Sequence, residues 1–346
     1  MGEQGYDVFL VYKITSVCYF SGFLDNRDSV LALIVPADGE PVLMAYPISY
    51  DAASDESKAC SLEKIAAGET LLGKIVDRLS ALKAKRVGFD EMPAAFYLAL
   101  TKKLGGIKLE EAPKLVWDLR RVKDLEEIAC IRRSAKMSDA GISAAVDTVK
   151  VGMREYELAG EIEYAMRKAG SERPSFDIIV SSGPRTAYPH SFVSNRVIGK
   201  GDFVMLDIGA VYRGYFSDIT RTLVMGRPNS KQAEIYRTVL SAHNAALEEV
   251  REGVQAKQVA EVARNIIAQK GYGDRFVHGL GHGVGLDIHE PPSLSLMSNE
   301  TLKEGDIVTD EPAIYLHGMG GVRIENLLLV KKEGCERLTL SPIEEL

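Results

Sequence analysis

Cysteine and tryptophan are scarce in this chain. Its 346 residues hold four cysteines, Cys18, Cys60, Cys130 and Cys335, and one tryptophan, Trp117. The cysteines are scattered and form no Cys-x-x-Cys pair. That excludes a disulfide framework and a zinc finger and fits reduced thiols. No apolar run reaches the roughly 18 residues of a membrane span, so no membrane partner is expected. The opening MGEQGYDVFLVYK lacks the apolar segment of a secretory signal. Tyr6 stands where Met1-Gly2 would need Ser or Thr for myristoylation. The sequon Asn299-Glu300-Thr301 has no secretory context. The cytoplasm is the expected location. Basic charge is also lacking. The net charge is −7 and no basic tract stands out, which argues against nucleic acid as a partner. Arg120, Arg121 and Lys123 are answered by Asp124, Glu126 and Glu127, the pattern of a solvated helix start.

What is present fits a soluble protein of two domains, with 46% hydrophobic and 26% charged residues. The first domain is expected over residues 1–115 and is α/β. DVFLVYK (7–13), SVLALIVPADG (29–39) and PVLMAYPI (41–48) read as strands, the last two as a hairpin. Residues 63–85 carry helical periodicity, RVGFD (86–90) reads as a strand, and AAFYLALTKKL (94–104) as a helix. The second domain, 116–346, changes texture. Long helices are expected at 124–150, with Asp124 as N-cap, and at 155–170, 230–252 and 255–270. Strand pairs are expected at 203–212 with 215–225 and at 306–316 with 321–331. Helices alternating with hairpins make this domain α+β.

Both hairpins carry acids where apolar residues are expected. Asp207 and Asp218 interrupt FVMLDIGAVYRGYFSDITRTLVMG (203–226). A tight turn at Tyr212-Arg213 would set them directly opposite, with Cβ atoms about 4.5–5.5 Å apart. A register shift of two would keep both on one face, whereas a shift of one would separate them. In DIVTDEPAIYLHGMGGVRIENLLLV (306–330), a turn at 317–319 would set Glu311 opposite Glu325. Any one such acid can face solvent. Four of them at interior positions demand cations, and two divalent ions balance four carboxylates. A water held between such ions has its pKa lowered toward neutrality.

Half of the six histidines fall in HGLGHGVGLDIHE (278–290). His278 and His282 have the spacing of a helical zinc pair, but Gly279 replaces the glutamate of HExxH. Four glycines in ten residues speak against a helix. Spacing alone does not choose the ligand. His243 lies on a helical face and reads as surface or packing, and His317 as an incidental turn residue.

At these residues the sequence resembles the Xaa-Pro peptidases, prolidase and aminopeptidase P, of the pita-bread metallopeptidase family. The resemblance spans nearly the whole chain. It rests on VCYFSGF (17–23), similar to an N-terminal strand of the family, IIVSSGPRTAYPHS (178–191), DIGAVYRGYFSDITRT (207–222), HGLGHGVGLDIHE, DEPAIY (310–315) and RIEN (323–326). It implies a creatinase-like N-terminal α/β domain before a pita-bread catalytic domain. It implies that Asp207 chelates one metal, that Asp218 and Glu325 bridge two, and that His282 and Glu311 complete the second. Glu311 would also be the general base. His190 and His289 would hold the substrate carbonyl or backbone. Arg323 would support the ligands, and His278 would form the pocket wall. Mn²⁺ or Co²⁺ suits the oxygen-rich set, with Zn²⁺ as the alternative. A homodimer is implied, with the N-terminal domain of one subunit near the other's active site.

The resemblance departs in three places. The chain begins almost at its first strand, where relatives carry a leading helix. Ala313 stands where Gly is usual and would narrow the pocket. Ser293 stands where dipeptide-restricted relatives often have Arg, which leaves longer peptides open. The expected function is therefore hydrolysis of the bond between an N-terminal residue and proline, as a dipeptidase or an aminopeptidase, on short peptides. A methionine aminopeptidase or other C–N hydrolase on the same scaffold is the alternative, disfavoured by the large N-terminal domain. A non-catalytic binding protein is disfavoured by the full set of five ligands.

Overall fold

The structure, a computed structural model, describes residues 4–26 and 29–344. The Met1-Gly2 start discussed above lies outside them. The chain divides into two compact units, Met1–Arg120 and Arg121–Leu346.

The first unit runs β1 (Val8–Val11), α1 (Ile14–Ser21), β2 (Ala32–Pro36), β3 (Val42–Ala45), α2 (Pro47–Glu56), β4 (Ser61–Lys64), α3 (Leu71–Ala81), β5 (Arg86–Phe89), α4 (Ala94–Lys103), β6 (Lys108–Glu111) and α5 (Pro113–Arg121). Its six strands form one sheet in the order β4-β3-β2-β1-β5-β6. The hairpin of β2 and β3 is antiparallel, while β4, β5 and β6 join in parallel. Two expectations are corrected here. VCYFSGF is not a strand: it lies in α1, whose C-cap Gly22 takes φ 81°, a conformation glycine adopts without strain. Residues 63–85 are not one helix either. Thr70 starts α3 by accepting from Gly73 N at 3.1 Å, and the segment before it supplies β4.

The second unit contains α6 (Leu125–Thr148), α7 (Glu155–Lys168), β7 (Ile179–Ser182), β8 (Phe203–Ile208), β9 (Val211–Tyr212), β10 (Tyr215–Phe216), β11 (Ile219–Val224), α8 (Ser230–Glu249) and α9 (Ala256–Gln269). It continues with β12 (Gly281–Gly283), β13 (Glu290–Leu294), β14 (Ile307–Asp310), β15 (Ala313–Leu316), β16 (Gly320–Arg323), β17 (Asn326–Val330) and β18 (Cys335–Arg337). Asp124 caps α6 with a full capping box through Glu127, as its sequence position suggests.

Two helix pairs each cover a sheet. Ile142 of α6 and Leu158 and Ile162 of α7 pack on Val204, Leu206 and Ile219 of the sheet β11-β8-β7. Ile235 and Val239 of α8 and Val259 of α9 share a core with Val308 and Leu328 of the sheet β13-β12-β14-β17-β18. Each such fully buried aliphatic side chain contributes roughly 1.5–3 kcal/mol relative to exposure. Helix backs and sheet faces therefore fix the hairpins firmly, and the hairpins carry the acids.

Candidate active site

The hairpin of β8 and β11 turns at Arg213-Gly214, not at Tyr212-Arg213. Both turn residues have positive φ, 49° and 77°. That geometry suits a two-residue hairpin turn and favours glycine at its second position. Glu172 fastens the turn by accepting from Arg213 N and Gly214 N. The register consequently differs by two from the one expected. Asp207 faces Thr220, and Asp218 falls in the break between β10 and β11. The even shift keeps both acids at one cavity.

The second hairpin has the expected three-residue turn, 317–319, with Ala313 opposite Arg323. The same register continues on the far side of a break, where Asp310 faces Asn326. Glu311 and Glu325 occupy the break. The two hairpins are tied together. Glu325 N donates to Thr220 O at 3.1 Å, and Thr222 Oγ1 bonds both N and O of Arg323. Thr220 Oγ1 donates to Glu325 Oε2 at 2.7 Å and accepts from Arg323 Nε at 3.1 Å. Arg323 Nη2 donates to Asp207 Oδ2.

HGLGHGVGLDIHE forms β12 and the approach to β13. Its glycines have a purpose different from the one their number suggests. A Cβ on Gly281 would lie 2.0 Å from Thr309 O, and one on Gly283 would lie 2.4 Å from Pro291 O. The missing side chains make room for neighbouring strands. His282 Nδ1 lies 3.0 Å from Gly283 O, an atom that only accepts, so Nδ1 carries the proton. Nε2 keeps its lone pair and lies 3.6 Å from Asp218 Oδ2 and 3.5 Å from Glu311 Oε1. His278 Nδ1 donates to Gly279 O at 2.7 Å in the same way. Its Nε2 accepts from Tyr315 OH at 3.0 Å, and that hydroxyl accepts from Arg323 Nη1.

A cavity of about 580 Å³ opens over these groups. All nine residues singled out from the sequence line it: His190, Asp207, Asp218, His278, His282, His289, Glu311, Arg323 and Glu325. His190 and His289 are exposed, and the His289 ring meets the His282 ring edge-on at 4.3 Å. Ser293 also lines the cavity, whereas Ala313 and His317 do not. Of the two readings of His243, packing holds and surface does not: it is fully buried in α8, 3.0 Å from the equally buried Asp310.

Burial dominates the electrostatics. It raises the carboxyls of Asp218 and Glu325 well above the usual range, with Glu325 and Glu311 respectively the strongest acidic neighbours. Burial pushes Glu311 up to about 8, against the pull of Arg323. Burial lowers His282 to about 3 and His278 to about 4, so both imidazoles are neutral near pH 7. Arg323 stays charged. Its own burial is outweighed by Tyr315, Asp207 and Glu311.

Residues 129–332 match metallopeptidase family M24, and residues 1–122 match the creatinase/prolidase N-terminal domain. The chain belongs to metallopeptidase family M24. This peptidase is 38% identical over 342 residues to the Xaa-Pro dipeptidase of Pyrococcus horikoshii, a match covering 98% of this chain and 94% of that protein. Among solved structures, it resembles the prolidase from Pyrococcus horikoshii at a TM-score of 0.93 and 37% identity, over 100% of this chain and 97% of that one. It resembles the X-Pro aminopeptidase from Thermotoga maritima at 0.88 and 34%, over 98% and 97%. The peptidase is thus metal-dependent and has the fold its motifs imply, a creatinase-type N-terminal domain before a pita-bread domain.

The donor set of this peptidase fits divalent metal. Asp207 Oδ1 and Asp218 Oδ1 are buried without a hydrogen-bond partner. Ligand atoms of Asp218, His282 and Glu325 lie within 4.8 Å of one another. Hard oxygens and one free imidazole nitrogen suit such ions, which would also relieve the crowding that raises the carboxyl pKa values. Sequence reasoning missed Thr220 and Tyr315. Tyr315 lies within the DEPAIY motif, and its place two residues from Ala313 puts it on the strand face opposite Gly321. Thr220 becomes visible only once the register is known. None of the described helices is long and apolar enough to cross a membrane.

Proposed function

We propose that the chain hydrolyses the bond between an N-terminal residue and proline in short peptides, using two divalent ions, and that it works in the cytoplasm as a homodimer. The convergence of Asp207, Asp218, His282, Glu311 and Glu325 on one cavity carries the reading. The likeness to a protein named Xaa-Pro dipeptidase supports the substrate class. Residues 116–346 would form the catalytic domain and 1–115 the N-terminal domain.

Asp207, Asp218, His282, Glu311 and Glu325 would hold the ions. When bound, such ions polarise the scissile carbonyl and make water nucleophilic near neutral pH. Glu311 takes a proton from the attacking water and gives it to the proline nitrogen as the C–N bond breaks. The fixed Nδ1 proton of His282 keeps its Nε2 free as a ligand. Arg323 holds Asp207 on one side and Tyr315 on the other, which fixes the His278 wall. His190 and His289 donate to the carbonyl oxygen as it gains charge. Phe176, Ile179 and Ile288 supply apolar lining suited to a proline ring.

One observation favours peptides extended beyond proline. Among the described residues, the only Lys or Arg lining the cavity is Arg323, whose donors go to Asp207, Thr220, Tyr315 and Pro189. A dipeptide's carboxylate would find no unengaged guanidinium or ammonium there. Assays of the Mn²⁺- or Co²⁺-loaded protein on Ala-Pro, its amide Ala-Pro-NH₂, Ala-Pro-Ala and Met-Ala test both points. Cleavage of Met-Ala alone would overturn the proline reading. Ala-Pro cleaved faster than its amide would overturn the preference for extended peptides.

A further inference from the structure

The segment 188–194 carries three cavity-lining residues, His190, Ser191 and Phe192, yet it contains neither helix nor strand. Something other than a backbone ladder must hold it. The first residue of α7 does so. The Glu155 side chain is 0% exposed. It does not cap its own helix, because Glu157 Oε2 already accepts from Arg154 N at 2.7 Å. Glu155 is turned toward the loop instead. Its Oε1 accepts from Ser182 N and Ser182 Oγ, both at 2.8 Å. Its Oε2 accepts from Ser194 N at 3.0 Å, Ser194 Oγ at 2.5 Å and Arg185 Nε at 3.2 Å. Arg185 then donates through Nη2 to Phe192 O. One carboxylate thus receives five donors, from Ser182 and Arg185 ahead of the segment and from Ser194 at its end, and its counter-ion grips Phe192 within it. From the other side, Arg323 Nη1 reaches Pro189 O at 3.3 Å.

We propose that Glu155 and Arg185 are positioning residues that clamp the 188–194 segment and so hold His190 toward the substrate carbonyl. This rests on reading His190 as a substrate-side group. A buried carboxylate with this many donors cannot be exchanged for an amide without loss. Glu155→Gln keeps the shape, but its NH₂ must face either Ser182 N–H or the Ser194 and Arg185 donors, and one set of bonds is broken. Because none of the bonds of Glu155 and Arg185 goes to a proposed metal ligand, the clamp should act on catalysis without changing metal affinity.

The test compares Glu155→Gln, Arg185→Gln, His190→Ala and Glu155→Gln/His190→Ala in the Mn²⁺-loaded protein. Each single variant is expected to lower kcat on Ala-Pro-Ala by about 10–100-fold, with Mn²⁺ affinity within about twofold of wild type. The double variant is expected to be no more than about twofold below His190→Ala alone, because both changes remove the same contact. Multiplying losses, or Mn²⁺ affinity falling in step with kcat, would overturn the proposal. Native-state chymotrypsin digestion gives a readout free of the substrate assignment. Tyr188 and Phe192 are 48% and 74% exposed and offer cleavage sites. Cleavage there should quicken about tenfold or more in Glu155→Gln and in Arg185→Gln, since it tracks opening of the segment. Unchanged digestion would refute the clamp, even if no Xaa-Pro peptide proved to be a substrate. Quickened digestion in a protein inactive on every Xaa-Pro peptide would uphold the clamp and sink the substrate reading.

Discussion

Gly281→Ala should disable the metal centre by a wedge, not by removing a ligand. Its Cβ would lie 2.0 Å from Thr309 O, 2.7 Å from Thr309 C and 2.8 Å from Thr309 Oγ1. Backbone is rigid there, because Thr309 also pairs with Leu327 in the ladder of β14 and β17. A carbon needs about 3.3 Å or more from a carbonyl oxygen, so β12 and β14 must part by roughly 1 Å. The consequence reaches the site within one residue on one side and two on the other. His282 follows Gly281, and Glu311 follows Thr309 by two. Thr309 Oγ1 accepts from His282 N at 3.1 Å and donates to Glu311 Oε1 at 3.4 Å, so the wedge strikes the bridge between the two ligands. Metal sites tolerate distance errors of about 0.2 Å, well below this displacement. Overpacking of this kind costs about 1–3 kcal/mol of stability. Calorimetric titration with Mn²⁺ should show weakened binding, by about tenfold or more for displaced ligands. The melting temperature should fall by several degrees, roughly 2–4 °C per kcal/mol at this size. Wild-type Mn²⁺ affinity in a folded Gly281→Ala protein would refute the reasoning.

Three further outcomes follow from the same geometry. Burial holds the Glu311 carboxyl at about 8, above its usual 4.5, so the folded protein keeps a proton that the unfolded chain sheds. The stability this contributes is full below about 4.5 and is lost as pH rises through about 8. Chelator-treated protein should therefore melt at lower temperature at pH 8 than at pH 6 by scanning calorimetry, and divalent ions should bind more tightly as pH rises; the opposite slope would count against the crowded-carboxylate picture. Removing one partner of the buried His243–Asp310 pair, as in His243→Leu, should cost about 3–5 kcal/mol in urea unfolding, while His243→Leu/Asp310→Asn together should recover much of it; equal single and double losses would refute the coupling. Asp124→Ala removes the capping box of α6 and should cost about 1 kcal/mol with kcat unchanged.

The elements that position the site were largely legible because each has a local physical signature. Asp124 marks a helix start by the bonds it can make to Glu126 N and Glu127 N. The second hairpin could be registered from its turn, since 317–319 fixes the pairing of every residue beyond it. The first could not be fixed to better than two residues. Tyr212-Arg213 and Arg213-Gly214 are adjacent candidates, and the choice depends on which residue tolerates positive φ. The helix α1 was illegible as such, because a short apolar run ending in Ser-Gly-Phe fits a strand and a glycine-capped helix equally. Residues that act through others left less trace. Glu155 looks like any acid in a first helical turn, where the macrodipole favours one anyway. Only the course of the distant loop reveals that its carboxylate serves Ser182, Arg185 and Ser194.

The placement of the four acids has a common cause. In both hairpins the pairing breaks once and resumes in the same register. Pairing of β8 with β11 gives way across residues 209–210 and 217–218 to pairing of β9 with β10. Pairing of β14 with β17 gives way across 311–312 and 324–325 to pairing of β15 with β16. Asp218, Glu311 and Glu325 stand in these breaks, and Asp207 is the last residue but one of β8. A break frees backbone groups from the ladder, and here they bond to other segments, as Glu325 N does to Thr220 O of the other hairpin and Glu311 N to Leu280 O just before β12. Glu311 and Glu325 are thereby fixed by backbone bonds to other segments, and Asp207 by pairing with both β7 and β11. Register conserved across a bend lets a hairpin change direction without exchanging its faces. Two hairpins bent in this way can turn acids that are far apart in sequence toward one point. An unbent pair would have spread the same four residues along two strand faces, where burying them without cations would not be stable.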